Sequence, residues 1–133
     1  MLWLSRAWLI IFLAASWLPA SAHARHTAQG AHTELAIIAI AELPLEGRDT
    51  LRAIKQGGPF AYARDGVVFS NYEHVLPKRS RGYYHEYTVK TPGAHNRGAR
   101  RIICGPLGAA TLSGFPECYY TADHYRTFKR IQE

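Results

Sequence analysis

The sequence predicts an α+β fold in which a single N-terminal helix packs on an antiparallel β-sheet. One segment has the marks of a helix: Pro44 opens it, Leu51 and Ile54 lie on one face, and the Gly57-Gly58-Pro59 sequence ends it. After this segment, short runs rich in Val, Ile, Tyr and Thr alternate with turn residues, as strands do. The chain has 133 residues and no internal repeat. One helix followed by a run of strands is typical of a single α+β domain.

The strands are predicted from apolar and β-branched runs between turn residues. Residues 35–41 (LAIIAIA) are compatible with a strand or a helix, and their isoleucines favour a strand. The later strands, in chain order, are residues 67–69, 82–91, 99–104, 118–121 and a less regular segment at 125–131. The Pro92-Gly93 pair predicts a turn between the second and third of these.

The start of the chain has the composition of a targeting segment. A single charge, Arg6, precedes an apolar run, and Ala20-Ser21-Ala22 resembles a cleavage site. We therefore expect a signal peptide at residues 1–22, a flexible arm at 23–33 and the folded domain at 34–133. A retained membrane anchor is the alternative. The apolar run is short for a bilayer span, so the mature protein is expected to be secreted, extracellular or periplasmic, without stable membrane insertion.

The charge balance is basic, with 16 Lys and Arg against 10 Asp and Glu, a formal net charge of +6. A basic exported protein favours a polyanionic partner, either nucleic acid or an anionic surface. The charge alone does not separate these partners from simple solubility.

The two cysteines, Cys104 and Cys118, are predicted to form a disulfide, because an exported pair meets an oxidising compartment. The bridge would close a 15-residue segment, which corresponds to about 3 kcal/mol in the chain-entropy model. Their spacing is not that of a redox or zinc motif, and no metal site is predicted.

Residues 82–101 contain the most informative polar pattern. Alternation along a strand places Glu86 on one face with Tyr84 and Thr88, where a purely structural strand would favour uncharged side chains. Arg97 and Arg101 share a parity beyond the turn, so both could point to the same side of the returning strand. A carboxylate that faces two guanidinium groups is compatible with phosphate chemistry and with a structural salt bridge.

Four segments together resemble a known family. They are residues 65–73 (DGVVFSNYE), 82–93 (GYYHEYTVKTPG), 97–103 (RGARRII) and 119–128 (YYTADHYRTF). In this order they resemble the secreted guanyl-specific microbial ribonucleases, the ribonuclease Sa and barnase-like family. The resemblance covers most of the predicted mature chain. The segment 105–117 is longer than its counterpart in the family.

The resemblance implies cleavage of single-stranded RNA 3′ to guanosine through a 2′,3′-cyclic phosphate, followed by hydrolysis, with no metal or other cofactor. It implies that Glu86 is the general base and His124 the general acid. Arg97 and Arg101 match the family's phosphate-binding arginines, and Tyr125 matches a tyrosine beside the phosphate. An acid and a base on opposite sides of phosphorus, with cations between them, meet the demands of in-line displacement.

Guanine selection is assigned by the same resemblance to residues 69–73. Glu73 matches the glutamate that accepts both N1–H and N2–H of guanine, a donor pair that adenine lacks. Backbone N–H groups around Ser70, Asn71 and Tyr72 would bond guanine O6, and Phe69 or Tyr72 would stack on the ring. A loop glutamate in water is the alternative reading of Glu73.

Two further functions remain open on the sequence. A secreted basic module could bind RNA or another polyanion without cutting it, although a carboxylate in its groove would repel phosphate. A toxin delivered against competing cells would share the ribonuclease chemistry and differ only in destination. A monomer is the simplest expectation, and the family resemblance adds a barstar-like protein inhibitor as a possible partner.

Overall fold

The computed structural model describes residues 34–107 and 116–133. In chain order they form β1 (Ala36–Ala39), a short 3-10 helix (Ile40–Glu42), α1 (Leu45–Gln56), β2 (Val67–Val68), β3 (His85–Thr88), β4 (Arg101–Cys104), β5 (Cys118–Thr121) and β6 (Lys129–Gln132). The predictions for residues 1–22 and 23–33, and for the centre of 105–117, lie outside the described residues. None of the described helices is long and apolar enough to cross a membrane.

Helix α1 is the predicted helix, and its ends follow from its sequence. It begins after Pro44 and ends at Gly57, whose φ of 75° is a left-handed conformation that glycine adopts without strain. The amide N–H of Gly57 donates to Ile54 O at 3.1 Å and that of Gly58 donates to Ala53 O at 2.9 Å. These two hydrogen bonds form a Schellman motif, a common way for a helix to end. Leu51 is buried, so the helix attaches to the sheet through the predicted stripe.

The six strands form one sheet in the order β1-β6-β5-β4-β3-β2. Four of the five pairings are antiparallel, and β1 pairs with β6 in parallel. The α+β class, with one α-helix in the described part of the chain, is thus confirmed, whereas the sheet is mixed and not wholly antiparallel. Alternation within a strand does not reveal the direction of its partner, and these two strands come from opposite ends of the domain.

Several strands are shorter than predicted, and the differences follow from the backbone. The run 35–41 is a strand only over Ala36–Ala39, before the chain turns into the 3-10 helix. The segment predicted from residue 125 becomes a strand only at Lys129. His124 and Tyr125 have φ values of 57° and 71°, which belong to a turn.

The sheet has a hydrophobic cluster on each face. The cluster beside α1 includes Ile38, Leu51, Ile54, Val89, Ile102 and Ile131. The opposite cluster consists of Leu76, Tyr84, Ile103, Tyr119 and Phe128, with Phe69, Tyr83 and Tyr125 packed against it. Glu86 lies on this second face, because it is directly opposite Ile103 of this cluster in the pairing of β3 with β4.

The predicted disulfide between Cys104 and Cys118 is present. The two residues lie directly opposite each other on β4 and β5, and each is 1% exposed. The bridge therefore ties together the two strands from which residues 105–117 depart.

Candidate active site

The centre of the site is the carboxylate of Glu86 on β3, whose side chain is 8% exposed. The Tyr125 hydroxyl donates to Oε2 at 2.7 Å, and Arg97 Nη2 donates to Oε1 at 3.3 Å. Arg64 Nε lies 3.9 Å from Oε1. A carboxylate can accept about four hydrogen bonds, so this one keeps spare acceptor capacity among the described residues.

Arg97 is oriented by the strand that carries Glu86. Its Nε and Nη2 donate to Thr88 Oγ1 at 3.0 and 2.8 Å. Its Nη2 also lies 4.0 Å from Asp65 Oδ1, and the side chain is 25% exposed. Because Thr88 follows Glu86 by two residues, it lies on the same face and holds the guanidinium beside the carboxylate.

Arg101 is a buried cation with an unused donor. On β4 the residue is 3% exposed, and its Nη1 donates to three carbonyl oxygens, including that of Gly98 at 2.9 Å. Its Nε is buried with no hydrogen-bond partner among residues 34–107 and 116–133, and its Cζ lies 5.9 Å from the centre of the Tyr125 ring. Buried donors without a partner are uncommon in folded proteins, and a functional site is one recognised explanation.

His124 lies in a tight turn after β5. Its backbone N–H donates to Ala99 O at 3.0 Å, and its side chain is exposed without a hydrogen bond to any described residue. Asp123 stabilises the turn by accepting from Thr127 Oγ1 at 2.6 Å, Thr127 N at 2.9 Å and Thr121 Oγ1 at 2.9 Å. The bonds from Thr127, followed by that from Thr121, lower the pKa of Asp123 to about 2.

Residues 69–73, which the resemblance assigns to guanine selection and which we call the base loop, leave the sheet after β2. The Asn71 side chain donates to Leu76 O at 2.9 Å and accepts from Leu76 N at 3.1 Å, which closes the loop on itself. The backbone N–H groups of Ser70, Asn71 and Tyr72 have no acceptor among the described residues, and Glu73 is exposed and unpaired there. The loop therefore presents three free donors and one free carboxylate.

A cavity of about 450 Å³ lies between the base loop and the turn that carries His124. We call it the catalytic cavity because the predicted general acid His124 lines it, although Glu86, Arg97 and Arg101 are not among its lining residues. The Phe69 ring stacks on the Tyr125 ring at 5.3 Å, so the two segments are packed together. This volume is within the range of small-molecule sites. Its lining comprises Val68, Phe69, Ser70, Asn71, Tyr72, Glu73, Val75, His124, Tyr125, Arg126 and Phe128.

The structure brings the predicted residues together as two groups. Glu86, Arg97, Arg101 and Tyr125 form one network, and the base loop shares the catalytic cavity with His124 and Tyr125. Tyr125 belongs to both groups and joins them. Among the described residues, no hydrogen bond or ion pair joins Glu86 to His124, so the general base and general acid that the resemblance implies belong to different groups.

Sequence reasoning missed several neighbours. Arg64 lies in a turn 22 residues before Glu86, and no periodic signal connects the two. Arg126 lines the catalytic cavity and was not singled out. Asp123 is two residues from Thr121 and four from Thr127. This local spacing could have predicted that Asp123 stabilises the turn through hydrogen bonds to these residues.

A family model described as ribonuclease matches residues 25–132. Guanyl-specific ribonuclease Sa from Kitasatospora aureofaciens is 55% identical over 96 residues, 72% of this chain and 93% of that protein. Ribonuclease Sa3 from the same organism is 56% identical over 67% of this chain, and the match spans 58% of its own length. Guanyl-specific ribonuclease St from Saccharopolyspora erythraea is 48% identical over 69% of this chain and 83% of that protein.

Solved structures give the same result for the fold. A ribonuclease Sa2 structure in complexes with mononucleotides matches with a TM-score of 0.66 and 46% identity, over 74% of this chain and 95% of that one. A second, of ribonuclease Sa2 with guanosine-2′-cyclophosphate, matches with a TM-score of 0.64 and 47% identity, over 74% and 97% respectively.

Proposed function

This chain belongs to the ribonuclease family, and we propose that it is a secreted endoribonuclease that cleaves single-stranded RNA on the 3′ side of guanosine. One observation carries the catalytic part of this proposal. A buried carboxylate with spare acceptor capacity lies in a network with two arginines, and one of these has a buried Nε to which no described residue offers an acceptor. A purely structural ion pair would satisfy its donors internally.

In the first step, Glu86 removes the proton from the ribose 2′-hydroxyl, and O2′ attacks phosphorus. The bond from phosphorus to the 5′-oxygen breaks, and His124 gives its proton to that oxygen. The products are a 2′,3′-cyclic phosphate and a free 5′-hydroxyl. Water then opens the cycle with the two roles exchanged, so that each residue returns to its starting protonation state.

The two arginines are assigned to the charge that develops on the phosphoryl oxygens. A guanidinium is always ionised and can bind two oxygens at once. Arg97 and Arg101 are held by Thr88 and by backbone carbonyls before substrate arrives, so little reorganisation is needed during the reaction. The Tyr125 hydroxyl keeps the Glu86 carboxylate oriented.

Guanine selection is assigned to the base loop. The free N–H groups of Ser70, Asn71 and Tyr72 suit the acceptor O6, and the Glu73 carboxylate suits the paired donors N1–H and N2–H. Phe69 already stacks on Tyr125, so the exposed Tyr72 is the side chain with freedom to cover the base. Adenine would leave the carboxylate and these donors unpaired, which disfavours its binding.

The test uses the oxidised mature protein with a metal chelator present and four dinucleoside phosphates, GpU, ApU, CpU and UpU. Rapid cleavage of GpU alone, through a cyclic guanosine phosphate, is the expected result. Cleavage of all four would keep the catalytic assignment and refute the base loop's role. No cleavage by folded protein would leave a binding module as the better description.

The proposal also covers the oligomeric state and a protein inhibitor. The site as described is complete within one chain, so a monomer suffices for catalysis. Any protein inhibitor of the barstar kind would have to cover Arg97 and His124 with acidic side chains, because the groups that bind phosphate are cationic. Competition between such an inhibitor and 3′-GMP would test this expectation.

A further inference from the structure

A second cavity, of about 410 Å³, lies against the base loop and contains none of the proposed catalytic residues. Residues 68–72 contribute to the walls of both cavities. The base loop therefore separates the catalytic cavity from this second one, which we call the basic cavity.

The lining of the basic cavity is rich in positive charge. It includes His74, Lys78, Arg79 and Arg81, and none of the described residues that line it is acidic. Arg79 is already paired, since its Nη2 lies 3.0 Å from Glu117 Oε2. Lys78 and Arg81 are exposed and have no hydrogen bond or ion pair with any described residue. Two free cations thus lie at the cavity, which suits a phosphate group.

The wall between the cavities is well defined. Asn71 adopts a φ of 48° and makes two side-chain bonds to Leu76, and the His74 N–H donates to Asn71 O at 3.0 Å. These bonds hold residues 71–76 as a closed turn. The distance from a nucleotide bound on one side of the loop to the groups on the other side is therefore fixed by the loop.

We infer that the basic cavity binds the phosphate on the 5′ side of the selected guanosine, through Lys78 and Arg81. This inference rests on the proposed function. A guanosine held by the base loop must send its 3′ phosphate toward Glu86 and His124. The strand then leaves in the other direction through its 5′ phosphate, away from the catalytic groups, and the basic cavity lies across the loop from them.

The test compares GpU with UpGpU, which adds a 5′ nucleotide, and with GpUpU, which adds a 3′ nucleotide. We expect kcat/KM for UpGpU to exceed that for GpU by about fivefold, since two exposed ion pairs each contribute a modest factor. The Lys78→Ala/Arg81→Ala variant should lose this gain and cleave GpU at the wild-type rate. The control, Arg48→Ala/Lys129→Ala, removes the same charge from residues that line neither cavity and should keep the gain.

Three outcomes would overturn the inference. They are no gain from a 5′ nucleotide in the wild type, an equal loss of the gain in both double variants, and a loss of activity toward GpUpU in the Lys78→Ala/Arg81→Ala variant. The last result would assign the basic cavity to the 3′ side of the strand.

A binding measurement separates this inference from the proposed function. Guanosine 3′,5′-bisphosphate should bind more tightly than 3′-GMP, and this difference in affinity should shrink as the ionic strength rises, because salt screens exposed charges. The Lys78→Ala/Arg81→Ala variant should bind the two ligands equally. If GpU is not cleaved, the proposed function fails, but the difference in affinity between the two ligands still tests the subsite. Equal affinities in the wild type would refute the subsite.

Discussion

Two buried glutamates, Glu86 and Glu117, have side chains that are each 8% exposed, and each meets tyrosine and arginine. They differ in how completely they are bonded. Glu117 accepts from four donor atoms, Arg79 Nε and Nη2 and the hydroxyls of Tyr83 and Tyr119, with Nη2 shared between its two carboxylate oxygens. Glu86 accepts from two donor atoms among the described residues. The two carboxylates are thus equally buried, but the hydrogen-bond acceptors of Glu117 are saturated and those of Glu86 are not.

The saturated site has a structural role. Glu117 precedes β5, and its carbonyl accepts from the Gly105 N–H at 2.8 Å, beside the disulfide. Burial by itself raises the pKa of Glu117, but the bonds from Tyr119, Arg79 and Tyr83 outweigh it and hold the pKa below its usual value. The same network, after burial, raises the pKa of the Tyr119 hydroxyl. Glu117 is therefore kept ionised by partners that leave no place for a substrate.

The unsaturated site is the one to which we assign the chemical role. Burial, followed by the bond to Glu86, raises the pKa of Tyr125, so this hydroxyl remains a donor to the carboxylate. The remaining acceptor positions of Glu86 can take a substrate proton. The difference teaches that hydrogen-bond saturation, and not burial, distinguishes the proposed base from a structural carboxylate.

The largest expected effect is on catalysis in Glu86→Gln. The amide cannot act as a base, so transphosphorylation of GpU should fall by about 10² to 10⁴-fold. Binding of 3′-GMP should remain measurable, and the acidic limb of the bell-shaped pH profile of kcat/KM should disappear. The matched change Glu117→Gln should leave turnover of GpU close to wild type. Unchanged turnover in Glu86→Gln would refute the comparison.

The next effect is on base choice in Glu73→Ala. Loss of two hydrogen bonds to a charged acceptor should lower kcat/KM for GpU on the order of 10²-fold. ApU, which does not use this pair, should change little, so the ratio of the two substrates reports the loss. Asp49→Ala, which removes an exposed carboxylate on α1, serves as control. A preserved ratio would assign guanine selection to the loop backbone alone.

The third prediction concerns the disulfide, which lies near Glu117. The Cys104→Ala/Cys118→Ala variant should lose about 3 kcal/mol of unfolding free energy, the amount expected for a 15-residue loop. Urea unfolding at neutral pH measures this loss. Where the variant is folded, it should still cleave GpU, because neither cysteine lines the catalytic cavity. Loss of activity in folded protein would show that the geometry of the proposed active site depends on the disulfide.

The smallest effect concerns the stability due to Glu117. Because its folded pKa is lowered, its contribution is present above the unfolded pKa and is lost as the pH falls through the folded pKa. Glu117→Gln should cost about 1–2 kcal/mol at pH 7, a modest value since Arg79 is 44% exposed. The difference between wild type and variant should shrink in acid, as urea unfolding at pH 7 and pH 3 would show. A constant difference would mean that packing, and not ionisation, is responsible.

Much of the site was predictable because it depends on local patterns. The alternation that placed Glu86 and Thr88 on one face is a property of any strand, and both side chains bond Arg97. Arg97 itself lies before β4 and not on the returning strand, so strand parity does not explain its position. The glycines at 57 and 58 ended the helix for conformational reasons that need no tertiary contact. The base loop and the turn at His124 were found only through whole segments that resemble the ribonuclease family.

The sequence by itself determined the helix, the approximate strands, the disulfide pair and the side of the sheet on which Glu86 lies. These follow from backbone preferences and from the period of a strand. Only the tertiary structure decided the parallel pairing of β1 with β6, the different bonding of Glu86 and Glu117, the unpaired Nε of Arg101 and the basic cavity. Each of these depends on which distant segments meet and how many donors they bring, and no local pattern contains that information.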